Sequence, residues 1–289
     1  MYPRPFEYVR PSTLHEAVDI LTKKVEKAKI LAGGQSLLPL MKLRIASPQL
    51  VVDINRLPGL DFLKEEGGAL RIGALVRHRD VERSRIVQTT YPLLSDAAKV
   101  IGDPQVRNLG TVAGSLAHAD PASDWGAALL AFDSRVEMTG TKGTRSVRID
   151  DFFTDTFATA LGPDEILTEI RVPRPGPRAG GAYAKLKRKT GDFATVATAA
   201  QVGLDAKGSV AQVRIALAAV GPTPIRSRQA ERFLLGKEPS ASVIEATSKT
   251  AVEDAHPAAD LRGSEAYKRA MVELFTRRAL ERAVERARS

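Results

Sequence analysis

Apolar and polar positions along the first 57 residues predict a small β-α-β-α-β unit. Residues 6–8 suggest a short strand, and Thr13 precedes Glu16 by the three positions of a capping box. The apolar residues that follow this cap recur at helical spacing: Leu14, Ala17, Val18 and Leu21. The unit is completed by a buried strand, a helical turn and a further strand at residues 29–32, 37–41 and 50–54.

The pattern changes after Leu57-Pro58-Gly59, a turn signal that marks a boundary. Two hairpins are predicted next, at residues 62–72 and 135–149. They are accompanied by helices at 78–85, 92–100 and 124–132, so this part is a mixed antiparallel segment.

A second linker signal, rich in proline and glycine, occupies residues 173–177. Beyond it we predict three strands, at residues 182–187, 195–204 and 210–220. Three helices close the chain, near residues 227–235, 240–253 and 264–287. The two linkers divide the 289 residues into parts 1–57, 58–176 and 177–289, although length alone suggests about two domains.

Composition narrows the possible chemistry. The chain has no cysteine, which excludes disulfides, thiolate-ligated iron–sulfur clusters, zinc–cysteine sites and a cysteine nucleophile. The N-terminal residues lack the apolar core of a signal peptide, and no apolar run reaches the length of a membrane span. We therefore expect a cytoplasmic protein without membrane insertion.

The formal charge of +9 favours an anionic partner, which is a nucleic acid, an acidic protein or a phosphate-bearing cofactor. The simpler interpretation places much of this charge on the solvated face of the last helix, with ion pairs Arg277–Glu281, Arg278–Glu281 and Arg282–Glu285. A basic nucleic-acid-binding module is one hypothesis. Against it, aromatic residues make up 5% of the chain and no nucleic-acid motif is present.

Two segments carry candidate chemistry, and the first segment is Ala32-Gly33-Gly34-Gln35-Ser36. It lies between a predicted strand and a helical turn, where two glycines permit a sharp bend and close approach of a ligand. Its N–H groups can converge on an anion, and Gln35 and Ser36 add side-chain donors. Taken alone, the segment also fits an ordinary turn, and it lacks the G-x-G-x-x-G fingerprint of dinucleotide-binding folds.

The second segment comprises residues 101–115 and continues through residues 119–124. Small and hydroxyl-bearing residues again cluster where the backbone can contact a phosphate. Asp124 opens a predicted helix, so it is either an N-cap or an acceptor for ribose hydroxyls or a ring N–H. His118, Asp120 and Asp124 lack a third nitrogen or sulfur ligand, so we predict no metal site.

Together the two segments resemble the pyrophosphate-binding motifs of the FAD subunit of molybdenum hydroxylases, the xanthine dehydrogenase and carbon monoxide dehydrogenase family. Residues 32–36 look like the first motif, and residues 111–115 look like the second. The resemblance covers essentially the whole chain and is closest to the separate medium subunit of carbon monoxide dehydrogenase-like enzymes. It extends to residues 2–9, 37–42, 103–108, 119–124, 164–167 and 183–194.

The resemblance implies an α+β chain with a two-lobed FAD-binding fold, namely an α/β N-terminal lobe and a mixed antiparallel middle lobe. A C-terminal domain with a three-stranded antiparallel sheet and helices follows. FAD would lie between the first two lobes, so the two segments must meet in space. The diphosphate would be held by residues of both segments, and Leu31 is expected among the cofactor-binding residues beside them. The diphosphate-holding residues are Ala32, Gly33, Gly34, Gln35, Ser36, Thr111, Ala113, Gly114 and Ser115.

Five further residues acquire roles through the resemblance. Asp124 would anchor the ribityl or adenosine part, and Ile101 and Leu167 would line the flavin and adenine pockets. Lys185 would place positive charge near the isoalloxazine, and Phe193 would cover one flavin face. Each also has a plain structural interpretation, because Leu167 and Phe193 suit strand core. Lys185 could belong to a solvated basic strand with Lys187, Arg188 and Lys189.

Two departures from the family pattern are visible. The second motif has Ala113-Gly114 where Gly-Gly is usual, and the added methyl group would push the diphosphate outward. Phe193 stands where several relatives carry tyrosine, so a hydroxyl contact is lost there. We also expect Gly34→Val to abolish FAD retention by blocking approach to the backbone.

The family resemblance also implies a role in a larger complex. A chain without cysteine cannot hold [2Fe-2S] clusters, so these are expected on a small partner subunit and the molybdenum cofactor on a large one. Electrons would pass from molybdenum through the clusters to FAD and then to an external acceptor. We expect a dimer of heterotrimers, no nucleic acid, and no catalytic residue on this chain; a stand-alone FAD-dependent oxidoreductase is the further alternative.

Overall fold

The computed structural model describes residues 2–24 and 27–289. Its N-terminal part is a three-stranded parallel sheet with two helices, in the predicted order. The strands are β1 (Glu7–Val9), β2 (Ala28–Leu31) and β3 (Leu50–Asp53), and β3 lies in the centre. Helix α1 (Leu14–Lys23) begins where Thr13 Oγ1 accepts from the Glu16 N–H at 3.1 Å, as the capping pattern predicts. Helix α2 (Leu37–Lys42) follows β2.

The middle part contains a five-stranded antiparallel sheet and six short helices. Its strands, in the order β4-β5-β10-β6-β7, are β4 (Leu63–Glu66), β5 (Ala69–Gly73), β10 (Ile166–Pro173), β6 (Arg135–Gly140) and β7 (Gly143–Arg148). A two-stranded ribbon lies beside it, formed by β8 (Phe153–Asp155) and β9 (Ala158–Thr159). The helices are α3 (His78–Arg83), α4 (Arg85–Thr90), α5 (Pro92–Val100), α6 (Pro104–Leu109), α7 (Val112–His118) and α8 (Asp124–Leu130).

Strand β10 was not predicted, although it joins the two predicted hairpins into one sheet. It pairs antiparallel with β5 on one side and with β6 on the other. Its buried Glu169 is compensated by Arg71 of β5, whose Nε and Nη2 donate to the carboxylate at 2.6 and 2.5 Å. The strand therefore depends on β5, about a hundred residues earlier in the chain, and on β6, about 30 residues earlier, and local periodicity reveals neither pairing.

The C-terminal part has a four-stranded antiparallel sheet, so the prediction of three strands was short by one. The three long strands are β11 (Ala179–Leu186), β12 (Val196–Leu204) and β13 (Val210–Ala218), and the two-residue β14 (Ile225–Arg226) adds to the edge at β13. Three helices follow: α9 (Arg228–Leu234), α10 (Ala241–Ala251) and α11 (Glu265–Arg288). Helix α11 lies so close to β11 that a Cβ on Gly180 would clash with the Ala283 carbonyl oxygen.

The charge on α11 is not arranged as predicted. None of the three predicted arginine–glutamate ion pairs along this helix is formed among the described residues. Instead Arg282 and Arg286 both reach the buried Asp96 of α5, at 3.3 and 2.6 Å. Sequence spacing shows which residues share a helix face, but it does not show which element packs against that face.

None of the helices in the described parts of the chain combines the length and the apolar character that a membrane crossing requires. Two apolar cores are present instead. The larger one runs through the N-terminal and middle parts, reaches one face of the C-terminal sheet and includes the fully buried Trp125. The smaller one lies between the C-terminal sheet and its helices.

Candidate functional site

The two glycine-bearing segments are in direct contact. Gly33 of the first segment packs against the backbone of Leu109 and Gly110 in the second segment. A Cβ on Gly33 would lie 2.6 Å from the Gly110 Cα and would clash with the Leu109 carbonyl oxygen. Only glycine fits such an approach of two backbones. The expectation that the two segments meet in space is therefore confirmed.

In the first segment the chain turns between β2 and α2. Gly34 has a φ of +73°, a left-handed conformation that favours glycine. A Cβ there would meet only the flexible ends of Leu38 and Leu31, at 3.0 and 3.2 Å, so Gly33 and Gly34 are needed for different reasons. Ser36 precedes α2 without making a side-chain cap, and the first N–H groups of a helix have no acceptor within it. The segment thus presents uncharged donors.

The second segment uses part of its hydrogen-bonding capacity on itself. The Thr111 hydroxyl caps α7 by accepting from the Gly114 N–H at 3.0 Å, and the Ser115 N–H donates to the Thr111 carbonyl oxygen at 3.1 Å. The Val112 N–H donates to the Val76 carbonyl oxygen at 3.1 Å. Ala113 occupies the second helical position, where the N–H has no acceptor inside the helix. Fewer donors are therefore open in this segment than its sequence predicts.

Asp124 belongs to a buried polar cluster with two residues of β11. One carboxylate oxygen accepts from the Tyr183 hydroxyl at 2.8 Å, and the other accepts from Lys185 Nζ at 2.9 Å. Burial raises the pKa of Asp124, although the donors Lys185 and Tyr183 oppose this shift. Burial also raises the pKa of Tyr183, so its phenol stays protonated. The N-cap of α8 is Ser123, not Asp124, so the capping interpretation of Asp124 was wrong by one position.

Lys185 is not part of a solvated strand, because its side chain is only 1% exposed. Its ammonium group also donates to the Val100 carbonyl oxygen at 3.3 Å, and Lys187 reaches the same oxygen at 3.5 Å. Burial lowers the pKa of Lys187, and repulsion from Lys185 and Arg107 adds to this effect. Val100 ends α5 and precedes the half-buried Ile101. The structure thus groups Ile101, Lys185 and Asp124 around the end of one helix.

The two predicted apolar contacts lie in different surroundings. Leu167 is buried in β10, where it pairs with Met138 of β6, so it is part of the core as its plain interpretation requires. Phe193 does not belong to a strand and is 42% exposed in the loop between β11 and β12. The next residue, Ala194, donates its N–H to the Ala122 carbonyl oxygen at 3.3 Å, which ties this loop to the end of the second segment's continuation.

Tyr183 is a site residue that sequence analysis did not single out, although it lies at the start of a stretch that resembles the family. Its hydroxyl bonds to a carboxylate 59 positions earlier, and no local pattern signals such a pairing.

The contacts described above define the chemistry of the site. The two segments carry uncharged backbone and hydroxyl donors, and Lys185 and Lys187 bring positive charge to the end of α5. This combination suits a cofactor with a diphosphate and an electron-accepting ring.

Comparison with protein families agrees with this chemistry. Residues 4–175 match the family described as the FAD binding domain in molybdopterin dehydrogenase. Residues 181–283 match the carbon monoxide dehydrogenase flavoprotein C-terminal domain. The chain belongs to this family of FAD-binding subunits of molybdenum hydroxylases, which confirms the resemblance, the fold class and FAD as the cofactor.

Individual relatives are similar over their whole length. The carbon monoxide dehydrogenase medium chain of Hydrogenophaga pseudoflava is 44% identical, with 98% of each chain covered. The glyceraldehyde dehydrogenase medium chain of Sulfolobus acidocaldarius is 36% identical, over 97% of this chain and 99% of the relative. Among solved structures, carbon monoxide dehydrogenase from H. pseudoflava that lacks the Mo-pyranopterin moiety of its cofactor superimposes with a TM-score of 0.96 at 45% identity, covering 99% of each chain.

Proposed function

We propose that this chain holds FAD between its two glycine-bearing segments and relays electrons from a partner's iron–sulfur clusters to an external acceptor. The observation that carries the proposal is the contact between Gly33 and Gly110, which joins two segments that are distant in sequence. FAD itself supplies the electron-carrying chemistry when it is bound. The protein supplies binding, orientation and electrostatic surroundings.

The diphosphate is assigned to the uncharged donors of both segments. In the first segment these are the N–H groups of residues 32–36 before and at the start of α2, together with the Gln35 and Ser36 side chains. In the second segment the Ala113 N–H and the Ser115 hydroxyl contribute most, because the donors of Gly114 and Val112 already have protein acceptors. Neutral donors suit this ligand, since phosphate oxygens accept several hydrogen bonds at once.

The flavin end is assigned to the helix end at Val100 and the loop that carries Phe193. Lys185 and Lys187 place positive charge there, and the single carboxylate of Asp124 is engaged by Lys185 and Tyr183. Net positive charge in a buried place favours negative charge on a neighbouring group. Phe193 is exposed enough to cover a ring, and the half-buried Ile101 is assigned to a wall of the pocket, whereas Leu167 belongs to the core at β10 and is assigned no ligand contact.

The partners are inferred from what this chain lacks and from what its relatives are called. The chain contains no cysteine, so thiolate-ligated clusters must be carried by another subunit. Two relatives are named medium chains, which fits a complex with a small iron–sulfur subunit and a large molybdenum subunit. We propose a dimer of such heterotrimers, in which the substrate is oxidised on the large subunit.

The proposal is tested by purifying a tagged copy of the full chain from its native cells. We expect yellow protein with releasable FAD, and two further subunits that contain iron and molybdenum. Reduction of the complex by substrate should then bleach the flavin absorbance before an added acceptor restores it. Yellow protein without partners would indicate a stand-alone oxidoreductase, and colourless protein that binds oligonucleotides would indicate a nucleic-acid-binding module. Either result would overturn the proposal.

A further inference from the structure

Arg77 and His78 lie beside the contact between the two segments. Their backbone runs antiparallel to the second segment, where Arg77 forms an isolated β-bridge with Thr111. The His78 N–H donates to the Gly110 carbonyl oxygen at 3.0 Å, and the Val112 N–H donates to the Val76 carbonyl oxygen at 3.1 Å. The backbone on both sides of Thr111 is therefore fixed by residues 76–78.

The Arg77 side chain connects the second segment to the first. Its Nη1 donates to the Leu109 carbonyl oxygen, and its Nη2 donates to Asn55 Oδ1 at 2.7 Å. Asn55 in turn donates from Nδ2 to the Ala32 carbonyl oxygen at 2.7 Å. Asp53 orients Asn55 by accepting from its N–H at 2.9 Å and from its Nδ2 at 2.7 Å. One guanidinium thus links the two sides of the Gly33–Gly110 contact, directly to the second segment at Leu109 and through Asn55 to the first segment at Ala32.

His78 supports the second segment through its ring. The imidazole is buried, and its Nδ1 accepts from Trp125 Nε1 at 3.0 Å, which places the ring proton on Nε2. That Nε2 packs against Gly110, where a Cβ would lie only 2.6 Å away. Burial, with repulsion from Arg107 and Arg77, lowers the pKa of His78 to about 3, so the ring stays neutral and Nδ1 stays an acceptor. Gly110 is consequently in contact with both Gly33 and this imidazole.

We propose that Arg77 and His78 are positioning residues that set the spacing between the two segments and so define the diphosphate site. The inference rests on the proposed function, because it assumes that the segments share one diphosphate. It adds two residues that lie outside both segments, and it assigns them to the binding of the diphosphate rather than the flavin. Arg77 holds the segments together through Asn55 and Leu109, and His78 fixes the path of the second segment at Gly110.

The test compares ligand binding by variants of the full chain. The variants are Arg77→Met and Asn55→Ala, singly and combined, and the control is Arg83→Met, which removes the same charge from an exposed position of α3. Dissociation constants are measured by titrating apoprotein with FAD and, separately, with ADP, which carries the diphosphate without the flavin. Thermal unfolding of each apoprotein checks that the fold is retained.

We expect Arg77→Met to weaken FAD and ADP binding by the same factor, about 10- to 100-fold, because a charge-assisted link is lost. The double variant should be little worse than Arg77→Met alone, since Asn55 and Arg77 act in one chain of contacts. Arg83→Met should stay within about twofold of wild type. For His78, Gln should retain binding better than Leu, because its amide can still accept from Trp125.

Three results would overturn the inference. Unchanged FAD and ADP binding in Arg77→Met, with wild-type binding intact, would remove the positioning role and leave the proposed function standing. Loss of FAD binding without loss of ADP binding would place the defect at the flavin, not at the diphosphate. If the wild-type chain binds neither ligand, the proposed function fails and this inference fails with it.

Discussion

The two polar regions of the site are built in opposite ways. The contact between the segments at Gly33 and Gly110 is made of backbone, and its donors are uncharged. The cluster of Tyr183, Asp124 and Lys185 is made of ionisable side chains that are almost completely removed from solvent. The first region depends on distances between backbones, and the second depends on compensation of charge. They should therefore fail differently when single residues are changed.

The largest effect is expected where charge compensation is removed. Asp124→Leu leaves the Lys185 ammonium group buried without its carboxylate, which should lower the free energy of unfolding by roughly 3–5 kcal/mol. Urea denaturation of the purified chain measures this. The double variant Asp124→Leu/Lys185→Met should recover much of the loss, because it removes both charges. A single variant as stable as wild type would show that the pair is not energetically coupled.

Acidification is expected to lower the free energy of unfolding by a smaller amount. The group responsible is His78, which lies beside the contact between Gly33 and Gly110. His78 has a pKa of about 3 when folded, against 6.5 for an ordinary histidine, so only the unfolded chain binds this proton as the pH falls below 6.5. The associated stability is complete above pH 6.5 and is lost on acidification, by about 3 kcal/mol by about pH 4.

The measurement is the slope of unfolding free energy against pH in that window. His78→Gln should flatten the slope by about one proton, because its amide does not titrate there. Equal slopes for His78→Gln and the wild type would contradict the buried neutral state of His78.

The next effect concerns binding and tests the backbone contact directly. Gly33→Ala introduces a Cβ 2.6 Å from the Gly110 Cα, so the segments must separate and their donors no longer match one diphosphate. We expect FAD affinity to fall at least about 100-fold, or about 3 kcal/mol. Gly176→Ala, where a Cβ meets nothing within 4 Å, should bind FAD normally. Stoichiometric FAD in purified Gly33→Ala would refute the assignment of the contact.

The smallest effect separates the two neighbouring glycines. Gly34→Ala places an alanine in the left-handed conformation at φ +73°, which should lower the free energy of unfolding by about 1–2 kcal/mol. The new Cβ, however, meets only the flexible ends of the Leu38 and Leu31 side chains. FAD affinity should therefore change by less than about tenfold. Equal loss of FAD in Gly33→Ala and Gly34→Ala, measured by flavin absorbance per chain, would mean that close approach matters at both positions. The larger Gly34→Val change remains expected to prevent FAD retention.

The features that could be predicted from sequence are those formed by neighbouring residues. The side-chain cap at Thr13 and the glycines before α2 act within a few positions, so their elements were located well. Strand β10 escaped prediction because both of its neighbours are distant in the chain, and β14 because two residues give no periodicity. The arginines of α11 were assigned to partners on their own helix, whereas their partner is Asp96.

The same distinction between local and distant contacts applies to the candidate site. The first and second segments were visible as motifs, because backbone turns are encoded by glycine and small residues. The surroundings of Lys185 could not be predicted from a motif, because its contacts to Val100 and Asp124 join residues that are 85 and 61 positions apart in the chain. Arg77 and Asn55 lay outside every motif for this reason, and only the folded chain places them between the segments.

The contacts of Asp96 connect helix α11 to the cluster of Tyr183, Asp124 and Lys185. Asp96 accepts from Arg286 of α11 and from the Tyr183 N–H, and the hydroxyl of that tyrosine holds Asp124 beneath Lys185. The ion pairs of Arg282 and Arg286 with Asp96 therefore support this cluster from a distance, so a change within α11 is expected to alter the cluster without contacting it.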